Sequence, residues 1–194
     1  HSPYLGEVNA YNLMASLLAC IALGASLEEL ILKVPNLPII PGRLDPIVKR
    51  EYTVMLDYAH TLDAFKNILP ILNRMKKHRL VVVTGSAGGR EKEKRGPMGK
   101  YILEHSDHVI FTMDDPREEK VIDIIQDLLQ ESDRKNYEII EDRKMAIETA
   151  LDHAEKGDII LIAGKGVDDY MALGKEYLPY SDVQVIQDYY TAKN

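Results

Sequence analysis

The chain has 194 residues, of which 45% are hydrophobic, and 24 basic against 31 acidic residues give a formal net charge of −7. This composition argues against a disordered chain, and the acidic balance disfavours a nucleic-acid partner. The longest apolar candidate, Leu13–Leu27, is shorter than the ~20 residues that a membrane span needs and is interrupted by Ser16 and Gly24. A membrane partner is therefore not expected.

One cysteine, Cys20, lies in this apolar segment, so neither an intrachain disulfide nor a thiolate metal site is expected. We interpret Cys20 as a small core residue. The absence of a visible secretory signal and the use of a single cysteine favour a cytoplasmic location. Because the sequence opens on His1 rather than Met, we expect an internal piece of a longer protein.

Two helices are predicted at the start of the chain. Leucine and isoleucine recur at helical spacing between residues 13 and 21, and Ser26 followed by Glu28 and Glu29 is typical of a second helix start. Prolines then recur at positions 35, 38, 41 and 46, which disfavours helix and favours an extended connector. We therefore predict two domains, residues 1–45 and 46–194.

From residue 46 onward, short apolar runs alternate with amphipathic helical patterns. The predicted strands are 52–56, 80–83, 108–112, 137–140 and 158–163. The predicted helices are 62–75, one starting near 98, 121–130, 143–154, and a short one after the last strand. This alternation predicts an α/β fold with a Rossmann-like, doubly wound, mostly parallel sheet.

Polar residues follow nearly every predicted strand, where ligands bind in open α/β sheets. The first such turn, "DYAH", places Asp57, Tyr58 and His60 between a strand and a helix that Thr61 could cap. It is either a structural turn or the edge of a nucleotide site. The second, "GSAGGREKEKR", combines glycines with four cations, Arg90 among them. It fits a phosphate or carboxylate site and a solvated loop equally well.

The third and fifth turns also leave alternatives open. In "DDPR", Asp114 and Asp115 could accept an ammonium while Arg117 grips a carboxylate, which would suit an amino-acid zwitterion. The same residues fit a helix start with Asp115 as N-cap and Pro116 in the first turn, and the residues alone favour this capping hypothesis. "GKGVDDY" is either an anion loop or a flexible turn.

In order and separation, "GEVNAYN", "PGR", "DYAH", "GGREKEKR", "DDPR" and "GKG" resemble the motifs of the Mur ligases, the ATP-dependent amide-bond ligases of peptidoglycan synthesis. The resemblance covers about residues 6–190. It implies that residues 1–45 are the helical tail of a central ATP-binding domain and that residues 46–194 are the C-terminal domain. The closest likeness is to the branch that adds the third peptide residue.

This resemblance implies the chemistry and the partners. ATP, with Mg²⁺, would phosphorylate a carboxylate of UDP-MurNAc-L-Ala-D-Glu, and the amino group of a diamino acid would attack the acyl phosphate. The phosphate loop and the family's modified, magnesium-holding lysine have no counterpart in residues 1–194. We therefore expect these residues to depend on upstream domains of the same protein and to be inactive alone, and we assign them no catalytic or metal-binding residue.

The resemblance also implies a role for individual residues. Asn9 and Asn12 match contacts to adenine, Arg43 lies near the nucleotide, and Asp57 and His60 face the nucleotide, with Asp57 reaching the ribose. The residues implied to bind the incoming amino acid are Arg90, Asp114, Asp115, Pro116, Arg117, Gly164 and Asp168.

Two departures bear on the choice of amino acid. Diaminopimelate-adding relatives typically read D-N-P-R and follow "GKG" with His-Glu, whereas this chain has Asp115, Val167 and Asp168. Arg117 favours a distal carboxylate, as in meso-diaminopimelate. An unneutralised carboxylate at Asp115 would disfavour that ligand by roughly 1 kcal/mol or more, which leaves L-lysine slightly preferred.

Two other functions remain open at this stage. One is a related ligase that makes polyglutamate or cyanophycin, although "DDPR" and "GKG" are not expected there. The other is a non-catalytic α/β binding module, which the missing phosphate loop favours for residues 1–194 taken alone.

Overall fold

The computed structural model describes residues 2–193, and the chain divides into two compact units, His1–Ile40 and Pro41–Asn194. The domain boundary predicted after residue 45 lies slightly C-terminal to the division between these two units, and it stays a prediction. The two units are described separately below.

The first unit contains α1 (Glu7–Ala22), α2 (Leu27–Lys33) and a 3-10 turn over Val34–Asn36. The Ser26 hydroxyl accepts a hydrogen bond from the Glu29 amide at 3.5 Å, as predicted for a helix start. No described residue of α1 or α2 is buried. Our interpretation of Cys20 as a core residue is wrong, since its side chain is exposed on a helix that this unit does not enclose.

The second unit is α/β. Its strands are β1 (Asp45–Lys49), β2 (Thr53–Asp57), β3 (Leu80–Thr84), β4 (His108–Phe111), β5 (Tyr137–Ile139), β6 (Ile159–Ala163), β7 (Tyr170–Leu173) and β8 (Glu176–Pro179). Its helices are α3 (Leu62–Met75), α4 (Arg95–Glu104), α5 (Val121–Leu129), α6 (Arg143–Asp152) and α7 (Asp182–Ala192).

Six strands form one sheet in the order β1-β2-β6-β3-β4-β5, and only β1 runs antiparallel to its neighbour. The central strands β3 and β6 read "LVVVT" and "IILIA", and all their residues are buried. Branched side chains fit such a pleated surface, and an unbroken apolar run is what a strand covered on both faces requires. The predicted doubly wound, mostly parallel sheet is confirmed.

Helices cover the sheet with amphipathic faces. In α3, Phe65, Leu69 and Leu72 are buried at helical spacing, and the Thr61 hydroxyl accepts from the Ala64 amide at 3.2 Å, which confirms the predicted cap. Another core cluster joins α6 and α7 to alternate residues of the strands, such as Val81 and Val83. The sheet is thereby held rigid, so the loops at its edge start from fixed positions.

Two elements differ from the sequence-based expectation. The proline-rich connector ends in β1, an edge strand that tolerates Pro46 because its pairing with β2 is irregular there. The short helix predicted after β6 is instead the hairpin β7–β8. Its two-residue turn begins at Gly174, whose φ of +58° is typical of tight hairpin turns.

Candidate functional site

Loops that follow β2, β3, β4 and β6 enclose a cavity of about 870 Å³ at the carboxyl edge of the sheet. These four strands are neighbours, so parallel pairing brings their loops together. Among the predicted site residues, those that line the cavity are His60, Arg90, Asp114, Asp115, Arg117, Gly164 and Asp168. The "DYAH", glycine-rich, "DDPR" and "GKG" segments therefore form one site.

Asp57 fixes the "DYAH" turn. Its carboxylate is buried and accepts hydrogen bonds from the amides of Leu44 at 2.7 Å and Ala59 at 2.8 Å. Burial raises the pKa of Asp57, although these two amides oppose the shift. His60 is exposed, and its Nδ1 donates to the Tyr58 carbonyl at 2.7 Å.

The other predicted nucleotide residues lie outside this cavity. Arg43 is exposed, with its guanidinium 5.2 Å from the Tyr58 ring centroid. Asn9 and Asn12 stand three positions apart on α1, where side chains share a face. The Asn9 amide donates to the Leu5 carbonyl at 2.8 Å. Their contacts with nucleotide stay predictions.

Three of the four cations in the glycine-rich loop already have partners. Lys92 pairs with Glu119 at 3.2 Å, Lys94 pairs with Glu91, and the buried Arg95 forms a two-pronged pair with Glu119. Arg90 has no hydrogen bond or ion pair among residues 2–193, and it lines the cavity. A ligand anion would therefore meet Arg90 rather than the whole basic cluster.

Glu119 ties the glycine-rich loop to the segment after β4. Besides Arg95 and Lys92, its carboxylate accepts from the Gly89 amide at 2.6 Å. The hydrogen bonds from Arg95 are the main reason that the pKa of Glu119 falls to about 2, with the Gly89 amide and Lys92 adding to the effect. This carboxylate stabilises the folded loop in its ionised form.

The stability of the chain should therefore depend on Glu119 in acid. Because its pKa is lower in the folded state, the stabilisation is complete above about pH 4.5 and is lost as the pH falls toward about 2. Glu119→Gln should lower the free energy of unfolding near neutral pH and flatten its decline across this window, as measured by urea unfolding. Exposed Glu118 supplies the control, since Glu118→Gln should change neither the free energy of unfolding at neutral pH nor its decline in acid. If Glu119→Gln and the wild type show the same dependence of unfolding free energy on pH, Glu119 does not have the proposed stabilising role.

The "DDPR" segment is a strained loop rather than a helix start. Asp115 and Arg117 have φ angles of +46° and +50°, a left-handed conformation that costs roughly 1 kcal/mol or more per non-glycine residue. The capping hypothesis for Asp115 is wrong, because α5 begins only at Val121 after Lys120. Backbone bonds hold the loop instead: Arg117 donates to the Ala172 carbonyl at 3.0 Å, and Gly88 donates to the Asp115 carbonyl at 2.9 Å.

Two glycines let the loops approach this closely. A Cβ on Gly88 would lie 1.9 Å from the Pro116 carbonyl oxygen, and one on Gly164 would lie 2.1 Å from Asp114 Oδ2. Gly164 also has a φ of +113°, which side-chain-bearing residues rarely adopt. These positions require glycine because backbone and carboxylate occupy the space of a side chain.

The carboxylate of Asp115 forms an ion pair with the buried Lys165. Its Oδ1 accepts from Lys165 Nζ at 2.8 Å and from the Ala172 amide at 2.9 Å, and Lys165 is fully buried. Lys165 Nζ also lies 3.5 Å from Asp168 and 4.3 Å from the centre of the Tyr170 ring. The extra carboxylate of the "DDPR" motif therefore carries its own counter-charge.

Asp114 and Asp168 present further acidic groups. Burial raises the pKa of Asp114, against the nearby charges of Arg143 and Lys165, and its carboxylate accepts no hydrogen bond from residues 2–193. Asp168 accepts from the Tyr58 hydroxyl at 3.2 Å. A ligand ammonium at Asp114 would favour its ionised form.

Sequence reasoning missed four contributors to this site. Lys165 and Glu119 were not assigned to the site from the sequence. Tyr58 and Tyr170 line the cavity without having been assigned to it. The two glycines that flank Lys165, Gly164 and Gly166, could have indicated that its side chain is buried. Glycines on both sides let a backbone pack tightly around a buried side chain.

Within residues 2–193, no helix is long and apolar enough to cross a membrane. In the same part of the chain, no group of three or more histidine, cysteine, aspartate or glutamate residues is arranged to hold a metal ion.

Comparisons with known proteins identify the family of this chain. Residues 42–166 match the family described as "Mur ligase, glutamate ligase domain". The chain is 39% identical over 186 residues to the UDP-N-acetylmuramoyl-L-alanyl-D-glutamate–2,6-diaminopimelate ligase of Aquifex aeolicus, covering 95% of this chain and 38% of that protein. It is 36% identical over 190 residues to the ligase of the same name from Bacillus cereus, covering 97% and 39%.

Solved structures give the same picture. A UDP-N-acetylmuramoyl-L-alanyl-D-glutamate–2,6-diaminopimelate ligase superposes with a TM-score of 0.77 at 35% identity, covering all of this chain and 40% of that one. Folylpolyglutamate synthase of Mycobacterium tuberculosis, solved with ADP and AMPPCP, superposes with a TM-score of 0.67 at 18% identity, covering 84% and 39%. The second likeness concerns the fold alone. The chain spans about two fifths of the length of the curated relatives it matches.

Proposed function

Since the chain belongs to the Mur ligase family through its glutamate ligase domain, we propose that it carries the amino-acid site of a ligase that adds a diamino acid to UDP-MurNAc-L-Ala-D-Glu. The amino acid would be meso-diaminopimelate. Residues 46–194 would form the C-terminal domain of a longer cytoplasmic enzyme, and residues 1–45 would be the tail of its ATP-binding domain.

One observation carries this proposal: three loops far apart in sequence bring Arg90, Asp114, Arg117, Gly164 and Asp168 to a single cavity. Its charges suit an amino acid with a second charged end. Arg90 and Arg117 have no ion-pair partner among residues 2–193 and can grip carboxylates, while Asp114 can accept an ammonium. A cavity of about 870 Å³ is large enough for such a ligand.

The contacts of Asp115 favour diaminopimelate over L-lysine. The slight sequence-based preference for lysine assumed an unneutralised carboxylate at Asp115, whereas Lys165 pairs with it at 2.8 Å. With that charge balanced, the guanidinium of Arg117 has no ion-pair partner among residues 2–193 and favours a distal carboxylate. The relatives named as diaminopimelate ligases support the same choice.

The remaining chemistry concerns the nucleotide and the second substrate. In the proposal, ATP with Mg²⁺ converts a substrate carboxylate into an acyl phosphate, and the bound amino acid supplies the attacking amine. In this unit we assign three residues to the nucleotide, the exposed Arg43 and His60 and the buried Asp57. Mg²⁺ is assigned to the phosphates, since residues 2–193 offer no three-ligand metal cluster.

The test is an amino-acid-dependent assay of the longer enzyme that this proposal requires. With ATP, Mg²⁺ and UDP-MurNAc-L-Ala-D-Glu, phosphate release should follow the addition of meso-diaminopimelate far more than that of L-lysine or ornithine. Residues 1–194 alone should release none. Release with lysine only would overturn the choice of amino acid, and no release with any amino acid would overturn the proposed function.

The family's polyglutamate branch is tested in the same assay. If glutamate, offered with a folate acceptor, replaced the diamino acid, then a polyglutamate ligase would be the better description. Release under those conditions would contradict our proposal, because Asp114 would have no second ammonium to accept.

A further inference from the structure

Lys165 is a buried cation beside the amino-acid cavity, although its own side chain does not line it. Its side chain is 1% exposed, and its ammonium lies 2.8 Å from Asp115 Oδ1. The ring of Tyr170 covers the ammonium at 4.3 Å. A lysine is almost never buried in this way unless its charge is used by a neighbour.

Asp115, which pairs with this ammonium, also lines the cavity. Asp115 Oδ1 receives Lys165 and the Ala172 amide, whereas Oδ2 has no donor among residues 2–193 and the residue lines the cavity. Only two positions separate Asp115 from Arg117, whose backbone is held by Ala172 and Gly174. The state of the Asp115 charge therefore sets the potential on the cavity wall next to Arg117.

We propose that Lys165 is a specificity-determining positioning residue, which neutralises and orients Asp115 so that the cavity accepts a carboxylate beside Arg117. This inference rests on the proposed function and deepens it. Without the ammonium, the Asp115 carboxylate would repel a ligand carboxylate and attract a ligand ammonium. Without the Asp115 carboxylate, the Lys165 ammonium alone would attract a ligand carboxylate and repel a ligand ammonium.

Charge-changing variants of the longer enzyme test the inference. Lys165→Met should raise KM for meso-diaminopimelate by about five- to tenfold, the effect of one unit charge about 3–4 Å away when it is screened as in bulk water, and should not raise KM for L-lysine. Asp115→Asn should raise KM for L-lysine and not that for diaminopimelate. The double variant should regain most of the wild-type preference, since the Lys165–Asp115 pair is removed whole and only the longer contact of Lys165 with Asp168, at 3.5 Å, is lost as well. In each case kcat should change little, because neither residue touches the reacting atoms.

Exposed Lys175 supplies the control, and Lys175→Met should leave both KM values unchanged. Equal effects on both amino acids in Lys165→Met, with no rescue by Asp115→Asn, would show a merely structural role and overturn the inference. If Lys165→Met does not fold, the double variant decides: the wild-type preference supports the inference, and its loss overturns it. A wild-type enzyme that ligates neither amino acid contradicts the proposed function itself.

Discussion

Replacing Arg117 by alanine in the longer enzyme should raise KM for meso-diaminopimelate about 30-fold, the size expected for losing a charge-assisted hydrogen bond. The guanidinium lines the cavity, makes no ion pair within residues 2–193 and is steadied by donation to the Gly88 carbonyl at 2.5 Å. It is therefore free to bind a carboxylate and fixed in place to do so. Steady-state kinetics with varied amino acid measure the effect.

Two further variants separate charge from shape. Arg117→Lys keeps the charge but loses the planar fork, so it should recover only part of the affinity. Arg134→Ala removes an exposed arginine outside the cavity and should leave KM unchanged. An unchanged KM in Arg117→Ala would place the distal carboxylate elsewhere.

Arg143→Met should destabilise residues 1–194 by about 3–5 kcal/mol, because it leaves the buried carboxylate of Asp182 without its partner. The Arg143 guanidinium bonds both oxygens of Asp182, at 2.9 and 2.8 Å. Burial acts to lower the pKa of Arg143, but the Asp182 charge outweighs it and raises the value, so the guanidinium stays charged. Urea unfolding measures the loss.

This pair also links two loops of the site. Arg143 donates to the carbonyls of Met113 at 3.3 Å and Ala163 at 3.0 Å, which directly precede Asp114 and Gly164. Arg143→Met should therefore loosen the amino-acid cavity as well as the core. In Arg143→Met/Asp182→Asn no charge is left unpaired, so the loss should be smaller, while exposed Lys144→Met should change stability by less than about 0.5 kcal/mol. A double variant as unstable as the single one would contradict the charge explanation.

The sheet could be predicted because each of its strands and covering helices is encoded by residues that are close together in the sequence. Strands such as β3 and β6 are continuous apolar runs, and the helices between them show one apolar face with caps such as Thr61. The hairpin β7–β8 was missed because its pattern is short, and its Gly174 turn is equally compatible with a helix end.

The sequence predicted which residues belong to the site, but not which other residues they contact. Strand ends and motifs pointed to Arg90, Asp114 and Arg117, and these residues do share a cavity. The capping hypothesis for Asp115 failed because a local signal competed with backbone pairing to β7, which is far away in sequence. The burial of Lys165 likewise depends on long-range packing, which spacing alone does not encode.

The most direct test of the amino-acid site is a crystal structure of the longer enzyme with meso-diaminopimelate bound. We expect the ligand in the cavity between the "GGR", "DDPR" and "GKG" loops, with its distal carboxylate within about 3.2 Å of the Arg117 guanidinium. Asp115 should still bond to Lys165. A diamino acid bound outside this cavity, or one that leaves Arg117 without a ligand contact, would contradict the assignment of the site.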